Sequence, residues 1–405
     1  MNFIEGGVCA AKGFKASGIH VGVKTNHADK KDLALIVADN ECSAAAVYTR
    51  NVVKAAPLLI TKENLTDGLA RAVLANSGNA NACAPNGEEN ARKMCRAIAS
   101  ELGIAETDII VASTGVIGQE LPVAVIENGI PELVSKLSYN SSAAAAAAIM
   151  TTDITMKELA IEFEIDGKTV KIGGIAKGSG MIHPNMGTML GFLTTDCAIN
   201  TELLQGALMT ATNISFNRIS VDGDTSTNDM LTIMANGLAG NQEIAARDED
   251  YDIFAYALNM LCVELAKMIA ADGEGATHLI TCRAHGAADE SSAETISKSV
   301  ISSSLTKAAI FGADANWGRV LCAMGYSGVK FDPSKVSVAF ESIAGQIMVC
   351  ENGQGLVFDE ELAKKILTEH EVIIDIAMNT GDAECTCWGC DLTYDYVKIN
   401  GDYRS

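Results

Sequence analysis

Apolar positions along the chain fall into two periods. Ala91, Met94, Cys95, Ile98 and Leu102 recur at three- and four-residue spacing and stop at Gly103, which predicts an amphipathic helix with a glycine stop. Leu203, Leu204, Ala207, Leu208 and Ala211 make a second stripe, opened by Asn200-Thr201. The longest stripe runs through Phe254, Leu258, Leu261, Leu265 and Met268 and ends at Asp272-Gly273. Short β-like runs lie among them: Ile109–Ala112, His278–Cys282, Val336–Phe340 and Val372–Met378. The alanine-rich stretch from Ser141 to Ala148 supplies one short helix. Helices mixed with many short strands predict an α/β layered fold. There is no long linker and no internal repeat.

The chain has 405 residues, enough to bury a large core as one big or two intimately packed domains. Hydrophobic residues at 48% and charged residues at 20% fit a soluble globular enzyme. A net charge of −21 without a lysine/arginine cluster argues against binding to a nucleic-acid backbone. No apolar stretch is expected to be long enough to span a bilayer. Met1–Gly7 lacks the basic and apolar regions of a signal peptide, so a cytoplasmic protein is expected, with no membrane partner. Twelve cysteines in so long a chain read as thiols and not as a disulfide scaffold. Cys385, Cys387 and Cys390 form a local cluster that invites zinc, and a non-enzymatic zinc module is the remote alternative. Structural zinc takes four ligands, commonly as two separated pairs, and no second pair is close in sequence. Inert thiols and no metal are the expectation.

Candidate chemistry concentrates in residues 177–195. A Gly/Pro-punctuated turn there delivers Gly187-Thr188 into the apolar run Met189–Leu193. A lone threonine in a strand reads as a satisfied hydroxyl. A threonine after an unhindered glycyl carbonyl, however, can attack that carbonyl through Oγ, move the chain onto an ester and release the upstream segment by hydrolysis. Its new α-amine then lies beside the hydroxyl as general base. The resulting chains are 1–187 and 188–405. Other motifs fall away: the run from Asp222 has Thr227 and Ile233 where a calcium loop needs Gly and Glu. Gly173-x4-Gly178 continues into Ser179, not into the Lys-Ser/Thr of a phosphate loop. The six histidines lack His-Glu-x-x-His spacing.

The stretch Lys177-Gly-x-Gly-Met…Pro184-x-Met-x-Thr188-Met-Leu resembles the self-cleavage signature of the ornithine acetyltransferase family, the bifunctional glutamate N-acetyltransferases of arginine biosynthesis. The resemblance recurs, in the family's order, at Ala75–Cys83, Ser113–Gly118, Met150–Asp153, Val221–Asp229, Asp272–Thr277, Gly312–Arg319 and Tyr396–Tyr403. The chain departs from the family where Gly187 replaces its usual alanine and Ser405 its terminal threonine, and Cys385 and Cys387 are additions peculiar to it.

The resemblance implies a four-layer αββα sandwich like that of N-terminal-nucleophile hydrolases, self-cleaved into an alpha chain (1–187) and a beta chain (188–405). Thr188 would take the acetyl group of N-acetylornithine and pass it to glutamate. Thr114 and Gly115, which alone read as a turn after a strand, become the oxyanion hole. Lys177, otherwise a solvated loop charge, enters the substrate pocket. Glu274, otherwise part of a helix-stop turn, and one of Thr151 and Thr152 become substrate contacts. Asn400 and Ser405, at an end that would ordinarily fray, fold back to the substrate. No metal or redox cofactor is implied, and a bifunctional member also accepts acetyl-CoA. The implied assembly is a heterotetramer of two alpha and two beta chains. The nearest alternative is an aminopeptidase or amidohydrolase on the same architecture, with water as acceptor.

Overall fold

The computed structural model describes residues 1–25, 29–183 and 189–401. It divides into two compact units. The first takes Met1–Gly178, the stretch from the Leu190–Thr195 strand to Asn217, and Thr225–Ile269; the second takes Ser179–His183, Arg218–Asp224 and the chain from Ala270 onward.

The first unit is built on a nine-stranded sheet. Its hydrogen-bonded path runs Asn2–Ile4, Lys157–Ile165, Lys168–Lys177, Leu190–Thr195, Met230–Ala235, Leu33–Tyr48, Leu69–Asn79, Ile109–Val116, with Phe14–Ile19 paired to Leu33–Tyr48. Leu190–Thr195 and Met230–Ala235 lie side by side in parallel at the middle of this path, and all their residues are buried. Strands covered on both faces read as unbroken apolar runs, which explains Met189–Leu193.

Toward the other end of the path the two-residue period sorts side chains into two cores. Leu33, Leu35, Ala72, Leu74, Ile109 and Val111 pack with Met94 and Ile98 of helix Gly87–Leu102 and with Ile126 and Leu133 of helix Val123–Ser135. Their neighbours Ala34, Ile36, Val73, Ala75, Ile110 and Ala112 pack with Ala145, Ala148 and Ile149 of helix Ser142–Ile149. Lys157–Ile165 and Lys168–Lys177 form a hairpin closed by Asp166-Gly167, with φ of 51° and 65°, the doubly positive turn whose twist suits paired strands.

Helix Glu249–Ala271 corrects one expectation, since by length and hydropathy it could cross a membrane. Half of its apolar window is nevertheless buried in the protein. Phe254, Leu258, Leu261, Leu265 and Ile269 are inaccessible at helical spacing, the mark of a core helix.

The second unit carries a seven-stranded sheet in the order Gln354–Gly355, Gly345–Glu351, Ser337–Ser342, Glu371–Ala377, Leu279–Ala287, Ala383–Cys390, Ile219–Ser220. Its core joins Ile280, Val338, Phe340, Ile374 and Ile376 to Ile296 of helix Glu290–Ser302, Val320 and Met324 of helix Trp317–Gly325, and Ile366 of helix Glu360–Leu367. Cys385 and Cys387 share one face of their strand, while Cys390 falls on the other and receives Lys307 Nζ at 3.6 Å. Strand alternation therefore keeps the three sulfurs from converging. Among the described residues no group of His, Cys, Asp and Glu could hold a metal ion. A mixed α/β fold with two sheets is the class that the resemblance implied.

Candidate active site

In the first unit Thr114 and Gly115 lie inside strand Ile109–Val116, not in a turn after it. That strand runs parallel to Leu69–Asn79, and the ladder slips at Asn79, which faces both Thr114 and Val116. Gly115 has φ of 134°, and a Cβ there would lie 2.3 Å from the Gly78 carbonyl carbon. Only glycine allows this approach. Asn228 Nδ2 donates to the carbonyls of Ala80 (2.6 Å) and Ser113 (2.7 Å), pinning the backbone beside Thr114. Lys177 Nζ lies 3.4 Å from Thr114 Oγ1, within hydrogen-bond reach. A hydroxyl backed by a cation is suited to negative charge.

Lys177 ends strand Lys168–Lys177 and is only 8% exposed, so it is not a solvated loop charge. Asp153 is the residue that links it to its neighbours. Its Oδ1 accepts from Lys157 Nζ at 2.6 Å and from the Gly178 N–H at 2.7 Å, and its Oδ2 from the Thr151 N–H at 3.0 Å. Burial alone would raise the Asp153 pKa, but the charges of Lys177 and Lys157 and these hydrogen bonds hold it well below the usual carboxylate range. Thr151 and Thr152 follow Met150 at half-buried positions. Lys24, unmarked in the sequence, donates to Met150 O and Lys31 O at 2.8 Å each. Burial lowers its pKa to about 8, with Lys30 and Lys177 opposing its charge and Asp32 and Asp153 favouring it.

Gly187 and Thr188 lie outside the described residues. Their flanks are described: across the antiparallel ladder Lys177 faces Leu190, two positions beyond Thr188. The Met230 N–H donates to Met189 O at 3.0 Å. Asp229, just before Met230, is buried with no hydrogen-bond partner for Oδ2 among the described residues. Burial pushes its carboxyl well above the ordinary range, against the opposing effects of Ser226, Lys177 and Thr49. No role for Asp153 or Asp229 was readable beforehand, because an aspartate in a motif looks the same whether solvated or buried.

In the second unit Glu274 follows helix Glu249–Ala271 and is 7% exposed. Asn400, in helix Tyr394–Gly401, donates through Nδ2 to Glu274 Oε2 at 2.8 Å. The helix thus places Asn400 on Glu274, whereas Ser405 lies outside the described residues. Gly180 leaves room for the same carboxyl, since a Cβ there would be 2.4 Å from Glu274 Cδ. The Glu274 N–H donates to Ser179 O at 2.8 Å.

Comparison with known proteins is uniform along the chain. The arginine biosynthesis bifunctional protein ArgJ of Symbiobacterium thermophilum is 51% identical over 406 residues, covering all of both chains. The arginine biosynthesis bifunctional protein ArgJ 1 of Clostridium acetobutylicum is 50% identical over 97% of this chain and 96% of its own. A crystal structure of arginine biosynthesis bifunctional protein argJ from Bacillus halodurans, 46% identical, aligns over 53% of this chain and 99% of its own with a TM-score of 0.51. Residues 15–405 match the ArgJ family. With that match over nearly its whole length, and the motif residues gathered as described, the chain belongs to the ArgJ family.

Proposed function

We propose that Thr188, exposed as an N-terminal residue by self-cleavage after Gly187, carries acetyl from N-acetylornithine to glutamate, giving ornithine and N-acetylglutamate. Membership of the ArgJ family makes the chain an acetyltransferase of arginine biosynthesis and is the observation that carries this reading. Identity of about half over whole chains favours transfer over the aminopeptidase alternative. In the first half-reaction Thr188 Oγ attacks the acetyl carbonyl while its own α-amine takes the proton. The oxyanion is held by the Thr114 hydroxyl and the Gly115 N–H, with Lys177 beside Thr114. Glu274, carrying Asn400, binds a substrate ammonium; Thr151 or Thr152 and Ser405 complete the contacts. Glutamate then takes the acetyl group from the ester. Acetyl-CoA is a second donor in keeping with the bifunctional relatives.

Two observations support the cut. The Bacillus halodurans chain is matched over 99% of its length by 53% of this one, close to the share that residues 188–405 make up. The central strands Leu190–Thr195 and Met230–Ala235 would belong to the beta chain, while the strands hydrogen-bonded on either side, Lys168–Lys177 and Leu33–Tyr48, would belong to the alpha chain. Cut chains would therefore stay joined by two ladders, in a cytoplasmic assembly of two alpha and two beta chains.

A denaturing gel with N-terminal sequencing tests the reading. Wild-type protein should give two bands, the second beginning at Thr188, and Thr188→Ala should remain one inactive 42.4 kDa chain. Mixing with N-acetylornithine alone should add one acetyl to the 188–405 fragment by mass spectrometry. Full activity from uncut protein, or acetyl incorporation only when both substrates are present, would overturn it.

A further inference from the structure

Asn228 has no part in the reaction described so far, yet it closes a ring of hydrogen bonds around Thr114 and Gly115. It is buried and lies shortly before the central strand Met230–Ala235. Its Nδ2 donates at 2.7 Å to Ser113 O, in the peptide that leads into Thr114, and at 2.6 Å to Ala80 O. The Ala80 N–H in turn donates at 2.9 Å to Val116 O, just beyond Gly115. The circuit runs from Ser113 through Thr114 and Gly115 to Val116, then across to Ala80, and the Asn228 amide joins its ends. All of it lies within the first unit.

An amide suits this place. Its nitrogen supplies two donors at a fixed fork and brings no charge, whereas a hydroxyl supplies one donor and a lysine brings a cation. The amide oxygen is used as well: Asn228 Oδ1 accepts the Thr227 hydroxyl at 2.6 Å, which fixes the way the group faces. The ring encloses the slip in the strand ladder, where Asn79 faces both Thr114 and Val116 and pairing alone does not hold one register. Gly115, with φ of 134°, adds the freedom of a residue without a side chain. From the opposite strand Asn76 accepts the Ser113 hydroxyl at 2.6 Å and donates to Asn79 O at 2.9 Å. The backbone at Thr114-Gly115 therefore takes its direction from amide side chains outside its own strand.

We infer that Asn228 is a positioning residue for the oxyanion hole: by holding the Ser113 and Ala80 carbonyls it sets the direction of the Thr114 hydroxyl and the Gly115 N–H. The inference rests on the reading of Thr114 and Gly115 as the oxyanion donors. Such donors work because they are aimed before the charge develops. Misplacement by about 1 Å costs about 10²-fold. Asn228 acts through the backbone of the donors and not through the substrate, so its loss should appear in kcat and not in KM.

The test compares kcat and KM, per cleaved molecule, in wild type, Asn228→Ala, Thr114→Ala and the double variant. Asn228→Ala should lower kcat about 10–100-fold. Its KM should stay within about two-fold of wild type. With Thr114 already replaced, only the Gly115 N–H is left to misplace. The further fall should then shrink to about 3–10-fold, the departure from additivity expected of residues that act on one feature. If Asn228→Ala fails to accumulate as folded, cleaved protein, Asn228→Asp decides by the same measures, since it keeps the size and turns a carboxylate oxygen toward the two carbonyls. Wild-type kcat in the variants overturns the assignment. So does an undiminished fall on the Thr114→Ala background, or a rise in KM that matches the fall in kcat, either of which would mean general damage to the unit. Wild-type kcat in Thr114→Ala alone would sink the oxyanion reading itself, and this assignment with it, whatever Asn228→Ala does.

Discussion

The two compact units hold their candidate residues in opposite ways. In the first, Thr114 lies inside one strand and Lys177 at the end of another, with Asp153 bonded to the Gly178 N–H, all nearly inaccessible, and Asp153 and Lys157 locked as a fully buried ion pair. In the second, Glu274 is as inaccessible but lies on a loop, where Asn400 of an exposed terminal helix reaches it through one side-chain hydrogen bond. Buried charges fail steeply, because removing one partner strands the other in low dielectric. A hydrogen bond from an exposed side chain fails gradually, because water replaces the lost donor. Fixed charge is thus held by an ion pair in the first unit and reached by an exposed neutral donor in the second.

The largest effect should come from the buried pair. Asp153→Asn leaves Lys157 facing a neutral amide and should destabilise the fold by about 3–5 kcal/mol in urea unfolding. The acid limb sharpens this. Asp153 titrates lower in the folded protein than its ordinary 3.8, so its stabilisation is present above that value and fades as pH falls below it. The gap between wild type and variant should narrow below about pH 4. A gap that is absent at neutral pH, or unchanged in acid, breaks the contrast between the units.

Next comes Thr114→Ala, expected to lower kcat by about 10²–10³-fold with little change in KM when normalised to cleaved protein. Wild-type kcat would place the oxyanion donor elsewhere. Glu274→Gln keeps an oxygen for Asn400 and loses the charge. Loss of a charged hydrogen bond of about 1.5–3 kcal/mol should raise KM for N-acetylornithine about 10–100-fold while leaving the melting temperature in place. An unchanged KM would remove Glu274 from substrate binding. Asn400→Ala should be the mildest, with KM raised only several-fold, as expected for about 1 kcal/mol. A loss as steep as that of Glu274→Gln would show that the exposed helix is as unforgiving as the buried strands.

Local patterns were legible in the chain. The stripe ending at Leu102 is helix Gly87–Leu102, and Gly103 stops it with φ of 67°. The Asn200-Thr201 start is a true cap, with Asn200 Oδ1 accepting the Leu203 N–H at 2.9 Å. The expected strands appear at Ile109–Val116, Leu279–Ala287, Ser337–Ser342 and Glu371–Ala377. Less legible were Leu33–Tyr48, where alanines and polar residues blur the period, and the hairpin of Lys157–Ile165 and Lys168–Lys177, whose charged residues hide it. The Thr114-Gly115 turn was misread, since the bulge that keeps Gly115 in the strand depends on Gly78 and Asn79 of another strand.

By itself the sequence determined several helices, the mixed α/β class and, through the order of its motifs, the family, and it offered Gly187-Thr188 as the candidate junction. These are carried by neighbours along the chain, where spacing of a few residues is enough to state the physics. Only the tertiary structure decided that Asp153 pairs with Lys157, that Asp222 grips Met181 and Ile182 in place of a cation, and that Lys177 and Leu190 face each other in one sheet. Those partners are set by strand order, register and burial across stretches distant in sequence, and a buried carboxylate takes its charge state from them and not from its own neighbours in the chain.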